Sequence, residues 1–168
     1  MGFSCRECTV YVVDGDADCR CSLAGQLQTD GLTVRAFESA EAFLENHDRV
    51  QAGCLLLELH LPGMSGLALQ RCLNQRQISL PLIFMASSAD VASAVTAMQN
   101  GALDFLRKGP DRSRLIARVN RLVAAIRTGR AVPGQRHPYA PSPDGWRHVQ
   151  PALASPSTAF RSQLQHVE

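Results

Sequence analysis

The chain has 168 residues, 45% of them hydrophobic and 19% charged, with a formal net charge of +2; these are the proportions of a globular protein, not of a disordered or fibrous one. So small a net charge argues against nucleic acid or an anionic membrane surface as partner, and no run of about eighteen apolar residues offers a membrane span. Met1–Thr9 carries Arg6, Glu7 and two cysteines before any apolar run and does not read as a signal peptide, so the chain is expected to be cytoplasmic, with its cysteines reduced.

Short apolar runs alternate with helical patterns along the first three quarters of the chain. Val10–Val13 is a continuous apolar run, read as a buried strand. Leu23, Ala24 and Leu27 mark the inner face of a helix stopped by Gly31. Leu32–Phe37 is a second strand, after which Ser39 caps a helix carrying Ala42, Phe43 and Leu44. Cys54–Leu57, with Glu58 at its end, is a third buried run. A Pro62–Gly66 turn leads into a helix over Leu67–Leu73, and Leu82–Ala86 is the fourth strand. Asp90 caps a helix with Val91, Ala94, Val95 and Met98 at helical spacing, closed by Gly101. Ala102–Leu106 is the fifth strand, and Asp111 opens a last helix with Leu115, Ile116, Val119, Leu122 and Ile126 inward.

Five strands alternating with five helices through short loops predict an α/β fold, a parallel doubly wound sheet with helices on both faces. Residues 9–128 form that domain. Six of the nine prolines fall between Pro133 and Pro156, so residues 129–168 read as a largely disordered tail with room for a short helix near Thr158–His166. In such sheets ligands gather beyond the carboxyl ends of the strands. Those ends carry Asp14-Gly15-Asp16, Glu58, Ala86-Ser87 and Lys108. Lys108 is the one lysine among seventeen basic residues, which marks it for a specific role.

Three segments resemble those that define two-component receiver domains, in order and at the predicted strand ends. They are Val12-Val13-Asp14-Gly15-Asp16, Leu55–Gly66 around Glu58 and Pro62-Gly63-Met64, and Gly101–Lys108. The likeness covers roughly residues 9–127 and is strongest to the FixJ-like branch, through Ser39–Leu44 and the Asp90–Gly101 helix. It implies a flavodoxin-like, three-layer α/β/α sheet and a site where an aspartate accepts a phosphoryl group as an acyl phosphate. Paired carboxylates there help to hold Mg²⁺, and a hydroxyl and a lysine contact the phosphoryl oxygens.

Carried over residue by residue, the resemblance implies a depleted site. Asp14 matches the first acid, but Gly15 stands at the second and Asp16 falls one position further on. Glu58 stands at the acceptor position, its extra methylene carrying the carboxylate out by about 1.5 Å, enough to spoil an in-line approach. Ala86 replaces the switch hydroxyl, with Ser87 beside it. Lys108 is retained, followed by Gly109 instead of proline, and Phe105 matches the aromatic that moves on activation. The expectation is therefore an atypical receiver with no catalytic residues and lost or weak Mg²⁺ binding, Glu58 being tied to Lys108 in an ion pair. The alternative is a conventional, phosphorylatable response regulator with Glu58 as acceptor. Whether Glu58 mimics the active or the inactive state is open.

Such a module acts by protein–protein contact, with a histidine kinase, another response regulator or itself. A homodimer through helix 4, strand 5 and helix 5 is expected, with Ala92, Ala97 and Met98 as an apolar strip beside Arg107, Arg114, Arg118 and Arg121. No helix-turn-helix is visible after residue 127, which argues against direct nucleic-acid binding. A glycine-rich phosphate loop and a nucleophile elbow are both missing, so the chain does not read as an enzyme. The Cys5–Cys8 pair has metal-ligand spacing but lacks the second pair that a structural zinc needs. Cys19 and Cys21 open the first predicted helix, where a thiol pKa can fall; ordinary free thiols are the competing reading.

Overall fold

The computed structural model describes residues 7–46, 52–88, 90–109 and 111–130. Its elements alternate as the sequence predicts: β1 (Thr9–Val13), α1 (Ala17–Thr29), β2 (Thr33–Phe37), α2 (Ala40–Glu45), β3 (Gly53–Glu58), α3 (Gly66–Gln75), β4 (Leu82–Ala86), α4 (Val91–Gln99), β5 (Asp104–Arg107) and α5 (Ser113–Arg127). The five strands form one sheet ordered β2-β1-β3-β4-β5, every neighbouring pair parallel. This is the flavodoxin-like α/β order, whose switch point lies between β1 and β3.

Every residue of β1, β3 and β4 is buried, which follows from covering both faces of the sheet. Successive side chains leave a strand on opposite faces, so each run feeds two cores. Tyr11, Val13, Leu55, Leu57 and Phe84 pack with Phe43 of α2, Leu69 of α3 and Ala97 of α4. Val10, Val12, Leu56, Ile83 and Met85 pack on the other face with Leu23 and Leu27 of α1 and Val119, Leu122 and Ile126 of α5. Each such fully buried side chain contributes on the order of 1.5–3 kcal/mol of transfer free energy.

Four helices open on a side chain that accepts from the first turn: Asp16 from the Cys19 amide, Ser39 from Ala42, Ser65 from Ala68 and Asp90 from Ser93. These caps satisfy amides that no helical carbonyl can reach. The fifth differs from expectation. Helix α5 starts at Ser113 behind Arg112, which gives no side-chain cap, while Asp111, one position before the cap, accepts from the Ser113 amide. Strand β5 also begins later than the apolar run suggests. Gly101 closes α4 at φ +99, and Ala102 and Leu103, although buried, complete the turn before the strand starts at Asp104.

One surface expectation is corrected. Ala97 is fully buried and belongs to the core. Ala92 and Met98 are exposed as expected, and the large apolar side chains exposed on α4 are Val91 (74%), Val95 (48%) and Met98 (46%), spaced at i, i+4 and i+7 on a face turned away from Ala97. Among the described residues no helix is long and apolar enough to cross a membrane. The predicted tail lies almost wholly outside the described residues, as does Cys5.

Candidate functional site

Parallel strands deliver their last residues to one edge, and the order β1-β3-β4-β5 sets the reach of each side chain there. Asp14 follows β1, Glu58 ends β3 beside Met85 of β4, and the Lys108 amide donates to the Ala86 carbonyl at 2.7 Å, extending β5 along β4. Three residues far apart in sequence therefore converge. Lys108 Nζ lies 2.6 Å from Asp14 Oδ2 and 2.8 Å from Glu58 Oε2. The other Asp14 oxygen, Oδ1, accepts from the Asp16 amide at 2.9 Å.

All three groups are withdrawn from water; Asp14 is 1% exposed and Glu58 8%. One ammonium serves two carboxylates, so their titrations are linked. Burial is the largest influence on each. For Asp14, burial favours the neutral acid, but hydrogen bonds from Glu58, Lys108 and the Asp16 amide, with the charge of Lys108, outweigh it and hold the carboxyl below its ordinary range. For Glu58, burial is reinforced by hydrogen bonding and repulsion from Asp14, and Lys108 only partly offsets them, so its pKa is raised. For Lys108, burial favours the neutral amine, but the two acids prevail and its pKa is raised. At neutral pH the cluster is a lysinium held mainly by Asp14, with Glu58 the more readily protonated acid.

The remaining predicted residues line the same edge without joining this cluster. Gly15 is exposed, and a Cβ placed on it would lie 2.9 Å from Pro62 Cδ. The proline ring of the β3–α3 loop thus sits close against the position where an acidic side chain would begin. Asp16 is exposed and turned to the start of α1, its Oδ1 accepting from the Cys19 amide at 2.9 Å. Ala86 is fully buried, and Ser87 and His60 are exposed. Phe105 is half-buried and stacks on Phe84, with ring centroids 6.1 Å apart and 28° between planes. Among the described residues, no group of three or more His, Cys, Asp or Glu side chains comes together to hold a metal. The five described cysteines are all thiols, and burial pushes that of Cys54 far up.

Two contacts at the site went unread in the sequence. Arg20 Nη1 donates to the Asp14 carbonyl at 2.7 Å, so a second cation fastens the end of β1. Its position in the first turn of α1, beside the strand end, was the available signal. Glu41 of α2 accepts through Oε1 from the Met64 amide at 2.8 Å and so ties α2 to the loop that bears Pro62. Glu41 and Met64 are 23 positions apart, and no local pattern links them.

A parallel sheet in this order, with two acids and a lysine meeting beyond the ends of strands 1, 3 and 5, defines a receiver-type signalling module. The chain belongs to the response regulator receiver domain family, whose model matches residues 10–120, and thus to two-component signalling. It is similar to the transcriptional regulatory protein TdiR of Thauera aromatica, 39% identical over 119 residues that make up 71% of this chain and 52% of that protein. It is also similar to the transcriptional regulatory protein FixJ of Azorhizobium caulinodans, 42% identical over 66% of this chain and 52% of FixJ. The crystal structure of FixJ-N superposes with a TM-score of 0.65 at 37% identity, covering 71% of this chain and 95% of the other. The FixJ-like character read from the motifs is thereby supported. The chain spans about half the length of these two curated relatives.

Proposed function

We propose that this receiver signals through protein–protein contact without taking up a phosphoryl group, as a degenerate member of its family. The observation that carries this reading is the position of Lys108 Nζ between Asp14 and Glu58. The ammonium engages both acids that would otherwise serve a metal and a phosphoryl acceptor, and the longer Glu58 side chain reaches it directly. No hydroxyl is available at Ala86 to receive a phosphoryl oxygen.

The residues present do not fit Mg²⁺, which demands near-octahedral oxygen coordination at about 2.0–2.1 Å. Asp14 has one oxygen on Lys108 and the other on the Asp16 amide. Gly15 supplies no carboxylate, and an acid there would have to displace Pro62. The carboxylate of Asp16 is engaged in capping α1. In this reading Asp14, Gly15 and Asp16 form a vestigial acidic pocket, Glu58 and Ala86 hold the acceptor and hydroxyl positions, and Phe105 is the switch aromatic, set by partners instead of phosphate. The module is a signalling protein of the cytoplasm, not an enzyme.

Its partners are a histidine kinase, another response regulator or a second copy. The Val91, Val95 and Met98 strip favours self-association through α4, β5 and α5, since aliphatic side chains this exposed on one helix face gain from burial. On the same surface Arg118 Nε pairs with Asp104 Oδ2 at 3.2 Å, a polar rim to that strip. Val95→Arg is expected to shift a dimer to monomer in sedimentation equilibrium while leaving the circular dichroism spectrum unchanged; an identical mass for both proteins would remove this surface from the proposal. Phosphorylation independence is tested by titrating Mg²⁺ with beryllofluoride against the isotope-labelled chain. The amide signals of Asp14, Glu58 and Lys108 are expected to show no saturable shift. Saturation at those three residues would favour the conventional regulator with Glu58 as acceptor.

A further inference from the structure

A concave feature extends from the Asp14 and Lys108 side of the acid–lysine cluster to the space between the first turns of α1 and the segment joining β5 to α5. It encloses about 420 Å³, within the range of small-ligand sites. Its floor is apolar: Leu23 from α1, Met85 from β4, Leu106 from β5 and Leu115 from α5. Its rim is cationic, with Arg107, Arg112 and Arg114 all lining it. Arg112 Nη1 reaches across to donate to Ser22 Oγ at 3.0 Å, so the two walls are fastened to each other.

The acids on the same lining are already engaged. Asp14 is taken by Lys108, and Asp111 accepts from the Ser113 amide at 2.9 Å. Arg107 and Arg114 are exposed, and among the described residues neither guanidinium has an ion-pair or hydrogen-bond partner. The lining carries Arg107, Lys108, Arg112 and Arg114 against Asp14 and Asp111, so its charge is positive in sum and is mostly on guanidinium forks, whose shape suits carboxylate and phosphate oxygens. An apolar floor under a net cationic rim selects a ligand with both characters.

We propose that this groove binds a small amphipathic anion, an acyl or aryl body bearing one carboxylate or phosphate. The body lies on Leu23, Leu106 and Leu115, and the anionic head meets Arg107 and Arg114. Asp14 and Lys108 also line the groove, so it adjoins the acid–lysine cluster. The residues that meet the ligand are not members of that cluster, and binding there does not depend on whether Glu58 takes up a phosphoryl group.

The test is nuclear magnetic resonance titration of the full chain with decanoate, 1-naphthyl phosphate and, as the neutral comparison, 1-naphthol. At least one anion is expected to give saturable shifts centred on Leu23, Leu106–Gly109 and Arg112–Leu115, whichever binds more tightly identifying the head group. The paired variant Arg107→Glu with Arg114→Glu, both at exposed positions and checked for folding by circular dichroism, is expected to lose at least about tenfold in affinity. Naphthol is expected to bind at least about tenfold more weakly than its phosphate. Shifts that never saturate or that centre on Val91, Val95 and Met98 would overturn the proposal. So would equal binding of naphthol, or an unchanged affinity in the paired variant.

Discussion

Replacing Lys108 by methionine is expected to destabilise the fold by about 3–5 kcal/mol at neutral pH, the cost of leaving buried charge without its partner. Asp14 and Glu58 are both buried, and the lysine is the cation that both of them contact. The sign of the pH dependence follows from the three shifts. Lys108, with its pKa raised, contributes fully below its ordinary value of 10.5 and loses that contribution as pH climbs through the raised one. Asp14, with its pKa lowered, contributes above 3.8 and loses that as pH falls through the lowered value. Glu58, with its pKa raised, favours the fold most below 4.5, and its contribution declines as pH rises through the raised value.

Without the ammonium both acids titrate upward, so on mild acidification the variant regains more stability than the wild type, in which Glu58 alone contributes in that direction. Urea unfolding at neutral and at mildly acidic pH reads this directly: the gap between the two proteins should narrow in acid. A gap that stays constant, or one below about 1 kcal/mol at neutral pH as for an exposed pair, would mean that the cluster is not a buried ion-pair network. Glu58→Gln is expected to act in the opposite direction and raise stability at neutral pH. It removes the acid that repels Asp14 and leaves Asp14 with Lys108 to itself.

Gly66→Ala carries the second large effect, about 3 kcal/mol of destabilisation by overpacking. A Cβ at Gly66 would lie 2.3 Å from the Glu58 carbonyl oxygen and 3.0 Å from Phe84 Cε1. The first of these is backbone and cannot rotate away. The Gly66 amide also donates to the Leu59 carbonyl at 3.0 Å, so α3 starts in direct contact with the strand end that presents Glu58. The measurement is the denaturation midpoint. A loss below about 0.5 kcal/mol, as for an ordinary surface change, would show that α3 can retreat from β3 without cost.

Much of this architecture was legible because its strongest signals are local. The unbroken apolar runs at Val10–Val13, Cys54–Leu57 and Leu82–Ala86 have few alternatives to a strand buried on both faces, and the caps at Ser39 and Asp90 mark their helices by residue type alone. Lys108 stood out through composition, and its pairing with Glu58 followed from the resemblance to receiver domains. The start of β5 was not legible, because Ala102 and Leu103 are as apolar as the strand that follows and only the backbone turn at Gly101 separates them from it. Ala97 was misassigned because alanine on an amphipathic helix suits either face; packing against α3 and the sheet decides it. Arg20 and Glu41 act on backbone groups, the Asp14 carbonyl and the Met64 amide, and sequence patterns of side chains carry little trace of such contacts. The groove between α1 and α5 arises from elements some ninety positions apart, as the Arg112–Ser22 bond shows.

The most direct measurement is the intact mass of the protein after incubation with acetyl phosphate and Mg²⁺. With Lys108 bridging Asp14 and Glu58, and with no acid at Gly15 and no hydroxyl at Ala86, the mass should stay that of the unmodified chain. A gain of one phosphoryl group that disappears in Glu58→Gln would contradict the proposed mode of action and make Glu58 a working acceptor.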